Sequence, residues 1–323
     1  VVQIPKVVCI GKATQDVFLK DEEFDPHKEG KVLYTHLPLG AKLDIDDLEF
    51  ATGGNATNVA VTFARQGLRS EYVWTLGYDP ASETVLKDLD KEGVETRHVV
   101  QKDKYQAGYS TILIATNGER TILNYKGTST GTHGADLDLS TLADADWVYP
   151  TALATGGVDL LRKIVDEADE QNVKVMLNPA GSELAEPAKL KGLLESIAVL
   201  CLNKEEAQML VEGQTSEELV RHLLHYVPVV IVSDGPRGVM ASDGKTIIKA
   251  GMYEDVKVLD RTGAGDAFAS GFLSQWILGK SLKDAVLFAS ANSTSVVAKV
   301  GAKAGILHKH VKLHDMPLME KTL

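Results

Sequence analysis

The chain predicts an α/β fold: a mostly parallel β-sheet with helices on both faces and one small extra β-sheet. Three observations carry this. Short runs of β-branched and aliphatic residues recur at 6–10, 71–75, 147–149, 173–177, 198–202 and 229–232. Stretches with helical spacing lie between them. Two segments, 16–50 and 106–125, break that alternation. Apolar runs separated by helices describe strands buried on both sides, as in a parallel sheet.

Along the chain, 6–10 is the first strand. Residues 55–66 form a helix whose Val59, Ala60, Phe63 and Ala64 share one face. A strand at 71–75 and a helix at 82–92 follow. Helices at 158–171, 205–211 and 217–225 separate the later strands, and Pro228 stands just before the strand 229–232, where proline is tolerated. The C-terminal part is helical at 265–278 and 282–299. Segment 16–50 alternates and carries turn residues but has no helical period. Segment 106–125 reads as a hairpin, because Tyr109–Ile114 and Thr121-Ile122-Leu123 flank Asn117-Gly118. Asn-Gly suits the tight turn that joins two twisted strands. Together the two segments make a small sheet projecting from a single domain, 1–323. No internal repeat or low-complexity linker divides it.

Composition narrows the function. The 323 residues are 44% hydrophobic and 24% charged, ordinary for a globular chain with a large core. Lys plus Arg total 34 and Asp plus Glu 45, a net charge of −11. Nucleic acid, which demands a basic footprint, is a poor partner for such a chain. A phosphate-bearing ligand is not excluded, because backbone N–H groups can bind it without side-chain charge. The two cysteines, Cys9 and Cys201, sit in apolar runs and read as buried thiols rather than a disulfide or metal pair. No apolar stretch reaches membrane-span length, and the first residues read as a strand rather than a signal peptide, so a cytoplasmic enzyme is expected. The nine histidines show no metal spacing, and His308-Lys309-His310 reads as an exposed polar stretch.

Two motifs carry chemistry. The first is Asp260-Arg261-Thr262-Gly263-Ala264-Gly265-Asp266-Ala267-Phe268, running on to Gly271. A helix begins inside it. Gly263, Ala264 and Gly265 are small enough for a phosphate to reach the backbone N–H groups, and the helix N-terminus adds its positive dipole end. A side chain at Gly265 would project at the phosphates or force another backbone path. Asp266, in the first turn, can accept the proton of an attacking hydroxyl. The plainer alternative is a carboxylate that only caps the helix. The second motif is Gly53-Gly54-Asn55-Ala56-Thr57-Asn58, with two glycines opening a helix and two amides three residues apart on one face.

In this order, these strings resemble the ribokinase-like carbohydrate kinases (the PfkB family), over almost the whole chain. Asn203-Lys204-Glu205-Glu206 is similar to that family's Asn-x-x-Glu motif, and Asp16 to its early substrate-binding Asp. The resemblance implies a three-layer α/β/α sandwich with a β lid built from about 16–50 and 106–125. It implies an ATP-dependent kinase acting on a sugar-like hydroxyl. Asp266 would be the base, with Gly263, Ala264 and Gly265 the anion hole. Asp16, Gly53, Gly54, Asn55 and Asn58 would hold the acceptor. Asn203, Glu206, Ser233, Gly235, Gly238, Thr262, Asn292 and Gly301 would line the nucleotide site, with Gly301 in a loop beside the adenine. Glu206 would organise Mg²⁺ through water, and Asp260 with the Thr262 carbonyl would hold a monovalent cation such as K⁺. The plainer alternative is a helix cap at Asn203 and a solvated helix residue at Glu206. Asn178-Pro179 is similar to a cleft-lining segment or is a simple strand-end turn. Glu119-Arg120 on the lid hairpin either reaches the substrate or holds its turn.

The chain departs from ribokinase proper at two places. Gly-Gly-Asn-Ala replaces Gly-Gly-Lys-Gly, and Thr14 stands where an Asn precedes the early Asp. Both speak against ribose and leave the phosphoryl chemistry untouched. A nucleoside kinase of the same fold is the alternative, favoured by an apolar or aromatic wall that Phe18, Tyr34, Tyr109 and Ile112 could supply. A non-catalytic sugar- or nucleotide-binding regulator is disfavoured by the intact Asp266 motif. The exposed lid face is a plausible homodimer contact.

Overall fold

The computed structural model describes residues 3–131, 136–251, 256–313 and 316–323. Its main sheet has nine strands, in the order Leu318–Thr322, Thr246–Ala250, Val239–Ser242, Val229–Ser233, Val199–Asn203, Lys174–Leu177, Trp147–Pro150, Lys6–Ile10 and Arg69–Val73. The strands from Val229–Ser233 to Arg69–Val73 are parallel, and the other three form an antiparallel edge. Every parallel strand expected from the apolar runs is present, displaced by at most two residues. The antiparallel edge was not anticipated. Its signal is Asp243-Gly244: the Asp243 carboxylate accepts the N–H groups of Lys245 and Thr246 and turns the chain back. Leu318–Thr322 is too polar and exposed to stand out by its own pattern.

Handedness sets the layers. The connection from Lys6–Ile10 to Arg69–Val73 through the helix Asn55–Arg65 moves one way across the sheet. That from Trp147–Pro150 to Lys174–Leu177 through the helix Gly157–Gln171 moves the other way. Right-handed crossovers in opposite directions lie on opposite faces. Asn55–Arg65 packs with the helix Ala264–Ile277, which in turn packs with Leu282–Val297, while Gly157–Gln171, Lys204–Leu210 and Ser216–Leu223 cover the other face. The strand order therefore reverses beside Lys6–Ile10. The crevice beyond the carboxyl ends of the strands there is the expected ligand site of a doubly wound sheet.

A buried ion pair pins this switch point. Lys6 and Glu71, on adjacent strands, are 1% and 0% exposed, and Lys6 Nζ lies 2.8 Å from Glu71 Oε2. Thr141 Oγ1 donates to the same oxygen at 2.6 Å, and His98 Nδ1 meets Oε1. Cys9 and Cys201 are buried free thiols, and burial pushes both well above the usual thiol range.

The second sheet has four strands, ordered Arg120–Tyr125, Gly108–Ile114, Thr14–Lys20 and Asp47–Gly53. The hairpin expected from Asn117-Gly118 pairs antiparallel, with Ile112 opposite Ile122. Its inner strand runs parallel to Thr14–Lys20, so Ser110 stands beside Asp16. Segment 16–50 supplies two strands of this sheet and a separate two-stranded hairpin, His27–Glu29 with Val32–Tyr34. Among the described residues, no helix is long and apolar enough to cross a membrane.

Candidate active site

Asp266 stands in the first turn of Ala264–Ile277 and is 6% exposed. Its two carboxylate oxygens are each taken by one amide: Asn55 Nδ2 donates to Oδ1 and Asn58 Nδ2 to Oδ2, both at 2.9 Å. The amides three residues apart at the start of Asn55–Arg65 thus converge on a carboxylate more than 200 positions away, because the two helices pack side by side. Burial pushes the Asp266 carboxyl above its usual range, and the Asn58 and Asn55 hydrogen bonds pull against that rise. Asn58 Oδ1 is itself buried and without a partner. A hydroxyl placed there could donate to it, which would remove the cost of an unpaired acceptor.

The backbone before Asp266 is a tight glycine turn that opens the helix Ala264–Ile277. Gly263 caps the helix at φ 78°, and a Cβ there would lie 2.6 Å from Ala302 Cβ, so glycine is demanded twice. Gly265 has no such constraint: a Cβ there meets nothing within 4 Å. The left-handed residue in this turn is therefore Gly263, and Gly265 keeps a free surface toward the cleft. Ala264 N–H closes a long 3.3 Å bond onto the Arg261 carbonyl. No described carbonyl takes the N–H of Gly263 or Gly265, which leaves them as donors.

Three cavities meet at this turn. The central one, about 350 Å³, is lined by Asn55, Asp266, Gly263, Ala264 and Gly265, and by Asn203, Glu206, Thr151 and Asn178 from the carboxyl ends of the sheet strands. Asn203 and Glu206 form a reciprocal capping box, with Asn203 Oδ1 accepting Glu206 N–H at 2.9 Å and Glu206 Oε2 accepting Asn203 N–H at 2.8 Å. The cap and the cleft-facing readings are thus both satisfied. Burial raises the Glu206 carboxyl, against the pull of the Asn203 N–H. Asn178 lines the cleft while its Nδ2 donates to the Cys201 carbonyl at 2.9 Å.

The second cavity, about 250 Å³, is predominantly apolar and adjoins Ala264 and Gly265. Ser233, Gly235 and Gly238 line one side, and Val256, Val258, Phe268, Ser293, Thr294 and Val297 the other. The sequence reading missed this second wall. Phe268 lies inside the motif, and Ser293, Thr294 and Val297 recur at helical spacing, which was a legible signal. The third cavity, about 90 Å³, lies under the small sheet and is lined by Asp16, Phe18, Ser110, Ile112, Arg120, Ile122 and Thr262. Burial raises the Asp16 carboxyl, opposed by a hydrogen bond from Ser110 and the charge of Lys303. Gly53 lets Asp16 sit close, since a Cβ there would collide with the Asp16 carboxylate, and Gly54 caps the helix carrying the two amides.

At four expected positions the structure shows contacts within the protein. Asn292 is fully buried, with Nδ2 on the Ala267 carbonyl at 2.8 Å and Oδ1 accepting Leu307 N–H at 2.8 Å, so it staples two helices and the following loop. Gly301 does not line the second cavity. Its N–H donates to Asp260 Oδ2 at 3.2 Å, and a Cβ on it would face Ala51 and Phe18. Thr262 turns its N–H and Oγ1 onto Asp260 and faces the third cavity. Asp260 is already paired with Arg120 of the small sheet. Among the described residues, no three His, Cys, Asp or Glu side chains cluster as a metal site.

A family model for "pfkB family carbohydrate kinase" matches residues 4–309. The chain belongs to the pfkB family of carbohydrate kinases. It is accordingly an ATP-dependent phosphotransferase with an alcohol group as acceptor. Among curated relatives, a ribokinase of Haemophilus influenzae is 27% identical over 83% of this chain and 88% of its own length. A 5-dehydro-2-deoxygluconokinase of Bacillus subtilis is 27% identical over 76% of this chain and 81% of its own. The fold is that of a putative Ribokinase II from E. coli in complex with ATP and Mg²⁺, with a TM-score of 0.78 at 19% identity, covering 94% of this chain and 96% of that one. A nucleoside kinase of Methanocaldococcus jannaschii superimposes with a TM-score of 0.73 at 20% identity, covering 94% and 95%. The architecture of this pfkB-family kinase is thus the ribokinase-like α/β/α sandwich.

Proposed function

We propose that this kinase transfers the γ-phosphoryl group of ATP to a hydroxyl of a sugar or sugar-like molecule, with Asp266 as the general base. The observation that carries this is the buried Asp266 carboxylate, held by Asn55 and Asn58 beside two free N–H groups at a helix N-terminus. The acceptor occupies the third cavity with Asp16 on its hydroxyls. The adenine lies in the apolar second cavity, and the phosphates cross the central one. As the acceptor oxygen bonds to phosphorus, its proton passes to Asp266, the bond to the ADP oxygen breaks, and ADP leaves. Charge on the transferred group meets the N–H groups of Gly263 and Gly265, already oriented. Asn203 and Glu206 are placed to hold Mg²⁺ through water, and the ion would neutralise charge on the phosphates. Asp260 does not suit K⁺, because a guanidinium already occupies its carboxylate. The small sheet is a lid that excludes water. Its outward Leu48, Phe50, Leu123 and Tyr125 are exposed and offer a homodimer contact.

A nucleoside acceptor is the second reading. Of its proposed wall residues, Phe18 and Ile112 line the cavity, but Tyr34 is exposed and Tyr109 is not among the lining residues. One aromatic ring in a small cavity favours a sugar. The ribokinase and gluconokinase names of the relatives agree with that. The test is a coupled assay of ADP release across pentoses, hexoses, sugar acids and nucleosides. Stimulation by nucleosides alone would overturn the sugar assignment. With the acceptor in hand, Asp16→Ala is expected to raise its KM by about 10–100-fold, the size of a lost charged hydrogen bond, with the KM for ATP nearly unchanged. An unchanged acceptor KM would remove Asp16 from the site.

The two glycines separate ligand contact from folding. Gly265→Val puts a side chain into open cleft, so the melting temperature should hold while turnover drops by about 10²-fold. Gly263→Ala instead forces a left-handed alanine against Ala302 and should cost about 1–2 kcal/mol of stability. Normal turnover and a full melting-temperature response to ATP in Gly265→Val would sink the anion-hole assignment.

A further inference from the structure

We infer that Arg120 is a positioning residue: its guanidinium, carried by the small sheet, occupies the Asp260 carboxylate and so sets the turn that presents the phosphate-binding N–H groups, where a monovalent cation would otherwise be needed. This rests on the kinase reading above. Asp260 is 5% exposed and gathers four donors from three parts of the chain. Oδ1 accepts Thr262 N–H at 2.9 Å, Thr262 Oγ1 at 2.7 Å and Arg120 Nη1, and Oδ2 accepts Gly301 N–H at 3.2 Å. Thr262 immediately precedes Gly263, so the carboxylate fixes the residue from which the left-handed step departs.

The neutral donors do not cancel the charge of a buried carboxylate, which requires a cation. Arg120 supplies it from Arg120–Tyr125, the outer strand of the small sheet, and lines the third cavity beside Asp16. Among the described residues, no other ion pair joins the four-stranded sheet to the main domain. Moving the sheet away would therefore strip Asp260 of its counter-charge and loosen the turn. Substrate capture beneath the sheet and readiness of the phosphate cradle become one event. Because Arg120 is already neutralised, it is not the group that recognises a negatively charged acceptor.

The test uses the full-length enzyme with the acceptor found by screening. Arg120→Gln should lower kcat by about 10–100-fold, the worth of one charge-assisted hydrogen bond, with the KM for ATP nearly unchanged, and should lower the melting temperature, because Asp260 stays buried without its counter-charge. KCl, or guanidinium chloride at sub-denaturing concentration, should restore much of that loss and leave the wild type unaffected. Arg120→Lys should recover part of the activity, and Arg120→Gln with Asp260→Asn should be no worse than Asp260→Asn alone. Wild-type kcat in Arg120→Gln would overturn the inference. So would a loss confined to the acceptor KM, or a loss that no cation relieves. Asp266→Asn, assayed beside these variants, isolates the premise: if it stays active, the base assignment fails whatever Arg120 does.

Discussion

Asp266→Asn is expected to reduce kcat by about 10²–10⁴-fold, the usual cost of losing a general base. The substitution keeps the shape of the side chain, so folding should survive. ATP with Mg²⁺ should still raise the melting temperature, because the apolar cavity is built from other residues and the amide keeps the shape of Asp266 in the central one. A variant with near wild-type turnover on its best acceptor would reject Asp266 as base. The pH profile adds a second readout. A base must be ionised to work, and burial lifts the Asp266 carboxyl above its usual value of 3.8. Activity should therefore fall, as pH drops, at a higher pH than an exposed aspartate would give. Removing either amide, by Asn55→Ala or Asn58→Ala, withdraws a hydrogen bond that favours the charged form. The acid limb should then move further upward. A limb that stays in place would mean that the amides do not tune this group.

Glu71→Ala is expected to destabilise the fold by about 3 kcal/mol, because it removes the buried partner of the Lys6 ammonium and leaves it only the exposed Asp144. Neither Lys6 nor Glu71 lines any of the three cavities, so the loss should appear in urea unfolding rather than in kcat of the folded enzyme. Replacing both partners, as Lys6→Met with Glu71→Leu, should recover most of the loss, since a packed apolar pair avoids the desolvation cost of two charges. If Glu71→Ala unfolds like wild type, the pair contributes nothing. Acid should expose the same interaction. Burial alone would raise the Glu71 carboxyl. The hydrogen bonds from Lys6, Thr141 and His98 and the charge of Lys6 outweigh that and hold it below its usual 4.5. A carboxyl depressed in the folded state adds stability that is fully present above the unfolded value. That stability is lost as pH falls through the lower, folded value. The wild type should thus lose stability below about pH 4.5 more steeply than the Lys6→Met, Glu71→Leu variant.

The parallel strands were legible because each is buried on both faces and so must be a continuous apolar run. The antiparallel edge was not, because an edge strand packs one face only and Leu-Met-Glu-Lys-Thr has no such run. Within the site, the two motifs announced themselves through glycines and polar side chains in places where a helix start would not need them. Their partnership did not. That Asn55 and Asn58 hold Asp266, rather than reaching the acceptor alone, follows from the packing of two helices distant in the chain.

The residues alone determined the sheet class, the tight turn at Gly263–Gly265 and the presence of a carboxylate beside it, since these depend on local spacing and backbone chemistry. Tertiary structure decided which groups share a cavity. It placed Gly301 and Thr262 on Asp260, made Asn292 a staple between helices, built an apolar wall from Val256, Val258 and Val297, and brought Arg120 to Asp260. Hydrogen bonds and charge pairs act over about 3 Å, and separation along the chain says nothing about which donors come that close to a given carboxylate.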